Sequence, residues 1–407
     1  MVPDGWRVLE LGELAKFTSG GTPSKSNESY WGGNHPWISG KDLKQHYLST
    51  SIDSLTDEGF SSANKAPAGS TLVLVRGMTL LKDFPVGFAT KPLAFNQDLK
   101  ALIPEKNVDG LFLSFLLAGN KEKIRQLVST AGHGTGRLDT ESLKAFPVLT
   151  PKPLEQKKIA KILSTWDQAI TTTEQILKSS QQQKKALMQQ LLIGKRRLSG
   201  YQRPWTMFKL EQLFSRVTTK NTEINTNVVT ISAQHGLIRQ EDFFNKTIAS
   251  EILDNYFLLK KGQFAYNKSY SNGYPMGAIK RLNKYEKGVV TTLYICFEAS
   301  NEAKCNPEFF EHYFESGRLN NGLSKIANEG GRAHGLLNVK PSEFFGLTVF
   351  VPEVAEQKAI ATVLNTADQE IQTLQIKLSS LRDQKKSLMQ QLLTGKRRVK
   401  VDHLELI

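Results

Sequence analysis

A chain of 407 residues is long for a single hydrophobic core, and the usual size range makes two to four domains the starting expectation. A composition of 39% hydrophobic and 23% charged residues excludes wholesale disorder, and no apolar run approaches the roughly 20 residues of a bilayer-spanning helix. The net charge of +14 is shared by both halves and suits a polyanionic partner, but a basic balance alone does not single out nucleic acid.

In chain order, the opening MVPDGWRVLE lacks the apolar segment of a signal peptide, so a cytoplasmic protein without a membrane partner is expected. Residues 1–150 mix a strand-like run at 70–76 with a helical stretch at 111–128, which predicts an α/β or α+β domain. Glycine-rich loops punctuate it: SGGTPSK at 19–25, YWGGNHPW at 30–37 and AGHGTGR at 131–137. Such loops offer backbone amides to phosphates and short polar or basic side chains to base edges. The candidate DNA contacts of this half are Thr22, Ser24, Lys25, Lys41, Arg76, His133 and Arg137. A glycine-rich turn is also the ordinary way to reverse a chain, and a loop histidine is ordinarily solvated.

Residues 151–198 read as one helix, entered through Pro151 and Pro153 and closed by Gly194 before Lys195, Arg196 and Arg197. Residues 199–350 then open as the first half does, with Trp205 five residues before Leu210 as Trp6 is before Leu11, after which the likeness nearly vanishes. Strand-like runs at 228–232 and 289–297 and a helical stretch at 307–326 predict a second mixed domain. Its loops NKSYSNGYPMG at 267–277 and EGGRAHG at 329–335 contribute Lys268, Ser269, Tyr270, Arg332 and His334 to the candidate contacts, with Lys220 upstream. Cys296 and Cys305 have no CxxC spacing and read as two ordinary buried thiols, so neither a disulfide framework nor a metal site is expected. Residues 351–399, from Pro352 to beyond Gly395, form a second helix of the same kind, and 400–407 are a tail.

The two helical segments are copies. Residues 155–198 align without gaps on 356–399, and 26 of the 44 pairs are identical, far beyond shared helical composition. In the second copy Ile360, Leu364, Ala367, Ile371, Leu374, Leu378, Leu381, Leu388 and Leu392 fall on alternating steps of four and three, interrupted at Lys385. That is a coiled-coil seam. The first copy keeps the register with Ile159, Leu163, Trp166, Ile170, Leu177, Leu187 and Leu191, weakened by Thr173, Ser180 and Lys184. Connectivity makes the two helices antiparallel if they pack, and at about 40 residues each would be a rod of roughly 60 Å. The expectation is a ruler with one domain at each end and an approximate two-fold axis. Identities off the seam, Lys185, Met188, Gln189 and Gln190 against Lys386, Met389, Gln390 and Gln391, suggest matching surfaces for two copies of one partner protein. Recent duplication with little drift is the alternative. Lys195, Arg196 and Arg197 also recur, and basic residues suit helix C-termini in any case.

These residues resemble the specificity subunits of type I restriction-modification systems over the whole chain. The carriers are the paired EQK...IA..L...D..I openings and KK.LMQQLL.GKRR endings, with SGGTPSK...YWGG..PW in the first domain and NKSYSNGYPMGAIK in the second. The resemblance implies two target-recognition domains, each reading one half of a bipartite asymmetric site in double-stranded DNA, with the helices setting the unread spacer. It also implies two methyltransferase subunits, which carry S-adenosylmethionine, and restriction/translocase subunits in the full complex. No cofactor is expected on this chain.

Two rival classes are an enzyme and a protein-binding adaptor. For an amino-methyltransferase, the nearest match to an N-P-P-[YF] motif, Asn306-Pro307-Glu308-Phe309, lacks the second proline and reads as a helix start. The FTSGG stretch at 17–21 has the wrong glycine spacing for a cofactor loop. Glu155-Gln156-Lys157 and Glu356-Gln357-Lys358 imitate the end of a nuclease carboxylate motif but lie in the repeated helices, with no paired upstream aspartate nearby. A non-catalytic reader is the expectation; an adaptor would differ by showing no duplex preference.

Overall fold

The computed structural model describes residues 2–130, 134–232, 235–244, 253–329 and 337–400. The chain divides into two compact units, Met1–Glu174 with Ile376–Ile407, and Gln175–Gln375. Each unit is a mixed α/β head joined to parts of both long helices.

In the first unit the main sheet has five strands in the order Ala15–Ser19, Leu99–Pro104, Thr71–Leu74, Val86–Ala89 and Tyr47–Leu48, antiparallel except for the last pair. Thr71–Leu74 is buried along its length, which is why its apolar run does not alternate. Asp53–Leu55, Trp31–Ile38, Leu93–Phe95 and Lys65–Ala66 make a second sheet, and Val128–Thr130, Gly136–Leu138 and Arg76–Gly77 a third. The strand expected at 70–76 is therefore two, because one sheet's ladder ends at Leu74 and another's begins at Arg76, with Val75 between them. The helical stretch expected at 111–128 also divides. Helix Gly110–Gly119 is capped by Asp109, which accepts from the Phe112 amide at 2.8 Å, and it stops at Asn120. A short helix Lys121–Arg125 follows, and Val128 already lies in a strand. Gly119 lets Leu393 approach closely: a Cβ there would lie 2.7 Å from Leu393 Cδ1, and that side chain would have to shift.

In the second unit Phe214–Arg216, Ile295–Ala299, Phe264–Asn267 and Ala278–Arg281 form an antiparallel sheet. Phe214, Phe264, Phe297, Phe310 and Phe314 pack in offset and edge-on pairs between that sheet and helix Pro307–Glu315. The run at 289–297 is the end of Lys287–Val290 and the start of Ile295–Ala299, which belong to different sheets. Asn306 caps helix Pro307–Glu315 with proline in its first turn, as the NPEF stretch predicts. The stretch at 307–326 is broken near Gly317, at φ +72°, before a second helix, Asn320–Ile326. Both thiols are buried, and burial pushes each up to about 12.

The long helices are Pro153–Leu191 and Val354–Leu392. Within the first unit Glu155 of one meets Arg398, just beyond the other, and Asp167 and Glu174 meet Lys385 and Arg382 inside it. Within the second, Ser180, Lys184 and Arg197 meet Glu370, Asp368 and Glu356. The reversed order of partners makes the packing antiparallel in both. The seam is uneven in depth: Ile159, Leu163, Leu392 and Leu393 enter the first head's core, and Leu191, Leu192, Ile360, Ala361 and Leu364 enter the second's. The polar breaks are accommodated rather than weak. Thr173 is buried and donates to the Ala169 carbonyl, Ser180 donates to Glu370, and Lys184 and Lys385 each find an aspartate on the facing helix.

Candidate nucleic-acid interface

In the first head, Thr22, Ser24 and Lys25 lie on one exposed loop. The tryptophans of the YWGG..PW motif hold that loop by its backbone: the Trp31 indole donates to the Ser24 carbonyl at 3.1 Å, and Trp37 to the Gly21 carbonyl at 3.0 Å. Thr22 Oγ1 donates to Gln97 Oε1 at 2.7 Å, and Ser24 and Ser26 share a hydroxyl hydrogen bond. The glycines here serve close packing. A Cβ on Gly20 would lie 2.2 Å from the Asn96 carbonyl oxygen, and one on Gly33 2.4 Å from that of Leu55. Lys41 is exposed in a turn held by Asp42, which accepts from the Ser39 amide and hydroxyl.

Arg76 and Arg137 are brought together although 61 positions separate them in sequence: they are direct cross-strand partners in the three-stranded sheet, and both are exposed. Arg137 also faces Ser129 across the other strand pair. His133, Arg332 and His334 lie outside the described residues.

The second head gathers its candidates less tightly. Lys220 is committed within the fold, its ammonium donating to the Asn255 carbonyl at 2.7 Å and lying 4.8 Å from the Phe257 ring centroid. Lys268 is half-buried, and desolvation holds its ammonium below the usual lysine range. Its neighbour Ser269 donates its amide to Asn267 Oδ1, and Tyr270 projects with 63% of its surface exposed.

The repeated helix motifs have a structural chemistry that sequence reading missed. Glu155, buried, receives Arg398 through Nε and Nη2 at 2.8 and 3.0 Å, and the Trp6 indole donates to it at 3.2 Å. Glu356, fully buried, receives Arg197 at 2.5 and 2.6 Å, and that guanidinium lies 5.9 Å from the Trp205 ring. Gln156 accepts from the Asp109 amide and donates to the Pro151 carbonyl; Gln357 accepts from the Asn306 amide and donates to the Pro352 and Lys304 carbonyls. Asp109 and Asn306 are the caps of the head helices, so each glutamine ties a long helix to the N-terminus of a head helix. The signal that could have found this was the EQK triplet recurring just after a proline. Met188 and Met389 pack half-buried against the second and first cores. Lys185, Gln189, Gln190, Lys386 and Gln390 are exposed and Gln391 partly so.

Among the described residues no helix is long and apolar enough to cross a membrane, and no three His, Cys, Asp or Glu side chains cluster as metal ligands. Residues 3–179 match the family model described as the type I restriction modification DNA specificity domain. Over 165 residues the chain is 33% identical to the type I restriction enzyme EcoR124I/EcoR124II specificity subunit of Escherichia coli, covering 40% of each protein. Over 178 residues it is 30% identical to the MjaIX specificity subunit of Methanocaldococcus jannaschii, covering 42% of this chain and 39% of that one. The chain thus matches about two-fifths of the length of these relatives. Its fold is similar to the crystal structure of a type I restriction-modification system S subunit from M. genitalium, with a TM-score of 0.61, 15% identity and 96% of both chains covered.

Proposed function

We propose that this chain is the non-catalytic DNA reader of a type I restriction-modification complex, working in the cytoplasm; the match of residues 3–179 to the DNA specificity domain and the likeness to specificity subunits support this reading. Residues 1–150 and 199–350 each read one half of a bipartite asymmetric site, and residues 151–198 and 351–399 set the spacer. The observation that carries this reading is the contrast between the parts. The helices repeat the same latch, Glu155–Arg398 with Gln156 and Glu356–Arg197 with Gln357, whereas the heads have different sheets. Like scaffolds with unlike heads suit two copies of one partner and two different DNA words.

The exposed Lys185, Gln189 and Gln190 and their counterparts Lys386, Gln390 and Gln391 are the proposed docking surfaces for two methyltransferase subunits, which bring S-adenosylmethionine. Restriction/translocase subunits join that core. Lysines and arginines supply affinity through phosphates, and a smaller set of side chains at base edges supplies the sequence.

The test uses the purified chain with duplex DNA, labelled S-adenosylmethionine and Mg²⁺. Alone it should neither methylate nor cleave; with methyltransferase subunits, methyl groups should appear at one bipartite motif that sequencing of modified bases identifies. Catalysis by the chain alone would overturn the reading. Absence of any duplex preference in the presence of the methyltransferase would favour the adaptor.

A further inference from the structure

The three-stranded sheet of the first head places like charges side by side. Arg137 and Arg76 are direct partners on neighbouring antiparallel strands, so their side chains leave the sheet on one face, in a row with Ser129. All three are exposed. Like charges in this position destabilise a sheet. Among the described residues neither guanidinium has an ion-pair partner within 4.0 Å. The nearby Asp139 is occupied in capping helix Thr140–Lys144, accepting from the Ser142 amide at 2.9 Å. The strands that carry this pair are closely packed. Gly136 faces Gly77 across the same ladder, and a Cβ on Gly136 would lie 2.9 Å from Leu80 Cβ and 3.0 Å from the Gly77 carbonyl oxygen. Beside the arginines the turn Met78–Leu81 leaves Met78 63% and Leu81 40% exposed.

We propose that this sheet is the base-reading element of the first head, with Arg76 and Arg137 each donating to a guanine edge in the major groove and Met78 lying against a thymine methyl. The inference rests on the DNA-reader function above and adds which residues of that head specify sequence. A phosphate anchor needs only a cation. The Ser129 hydroxyl is spent on the Arg137 carbonyl at 3.2 Å, so the reading set is the two forked donors on neighbouring strands with exposed apolar side chains in the adjoining turn; such a set distinguishes base pairs, and the major groove admits strands. Among the described residues the two guanidiniums are offset only by the exposed Asp139 near Arg137, and the electronegative guanine edge and the flanking phosphates would complete that compensation.

The experiment is selection from randomised duplexes by the full chain together with its methyltransferase subunits, comparing wild type with Arg76→Lys, Arg137→Lys, Arg76→Ala and Met78→Ala. Lysine keeps the charge but not the bidentate fork. In each arginine variant, G·C preference at one position of one half-site should relax by about tenfold or more, with the other half-site unchanged. Met78→Ala should weaken a T·A preference in the same half-site. Loss of affinity equal on all sequences, with the salt slope falling by about 0.9 per arginine removed, would make these phosphate anchors and overturn the proposal. Unchanged selection would also overturn it. A wild-type complex that selects no sequence would instead overturn the reader function itself.

Discussion

Glu356 has no exposed surface and a single forked partner, Arg197, so the two side chains stand or fall together. Removing one partner of a buried pair strands the other's charge, at a cost of about 3 kcal/mol. Arg197→Ala should therefore lower urea stability of the second unit by about that amount, and a double replacement of Arg197 and Glu356 by methionine should recover most of it. Recovery no better than the single variant would mean that the pair contributes more than its charges. His46 makes a different residue-scale prediction. It stacks on Phe115 and shares a hydrogen bond with Ser114, and burial lowers its pKa from 6.5 to about 4. Between those values the unfolded chain takes up a proton that the folded head refuses, so the stability is present above 6.5 and is lost as pH falls toward 4. The thermal midpoint of His46→Gln should change less than that of the wild type between about pH 7 and about pH 5.

At the scale of the element, each long helix is followed, three residues past its end, by a glycine with left-handed backbone, Gly194 at φ +70° and Gly395 at φ +68°. Any other residue pays a conformational penalty there, and the two sites differ in what a Cβ would meet. On Gly194 it would touch the Trp205 ring at 3.2 Å; on Gly395 it would strike Pro3 Cγ at 2.4 Å. Gly194→Ala should cost about 1 kcal/mol and Gly395→Ala clearly more, measured as the difference in unfolding free energy. Hydrogen exchange should place the second effect at the start of the chain, where Arg398 also donates to the Asp4 carbonyl.

For the whole molecule, the proposed division of labour has two consequences that methylation mapping can check. Exchanging residues 1–150 for another recognition domain should change one half-site and leave the other; a change in both would end the modular picture. Adding one helical turn, about four residues, to each long helix should lengthen the tolerated spacer, and an unchanged spacer would refute the ruler.

The duplication, the two mixed α/β heads, the proline entries and glycine exits of the long helices, and the helix start at Asn306-Pro307 were all legible in the sequence. Each depends on local propensity, periodicity or self-similarity, which neighbouring residues carry. Contacts between distant segments were not. Nothing local distinguishes Arg76 and Arg137 as partners, or tells that Arg197 and Arg398, which suit any helix C-terminus, are spent on buried glutamates. The same limit hid the split of 289–297 between two sheets, and the role of Met188 and Met389 at the edges of the cores. The local order of residues determined what kinds of element form; only closure of the folded chain decided which side chains meet, because that depends on distances between segments far apart along it.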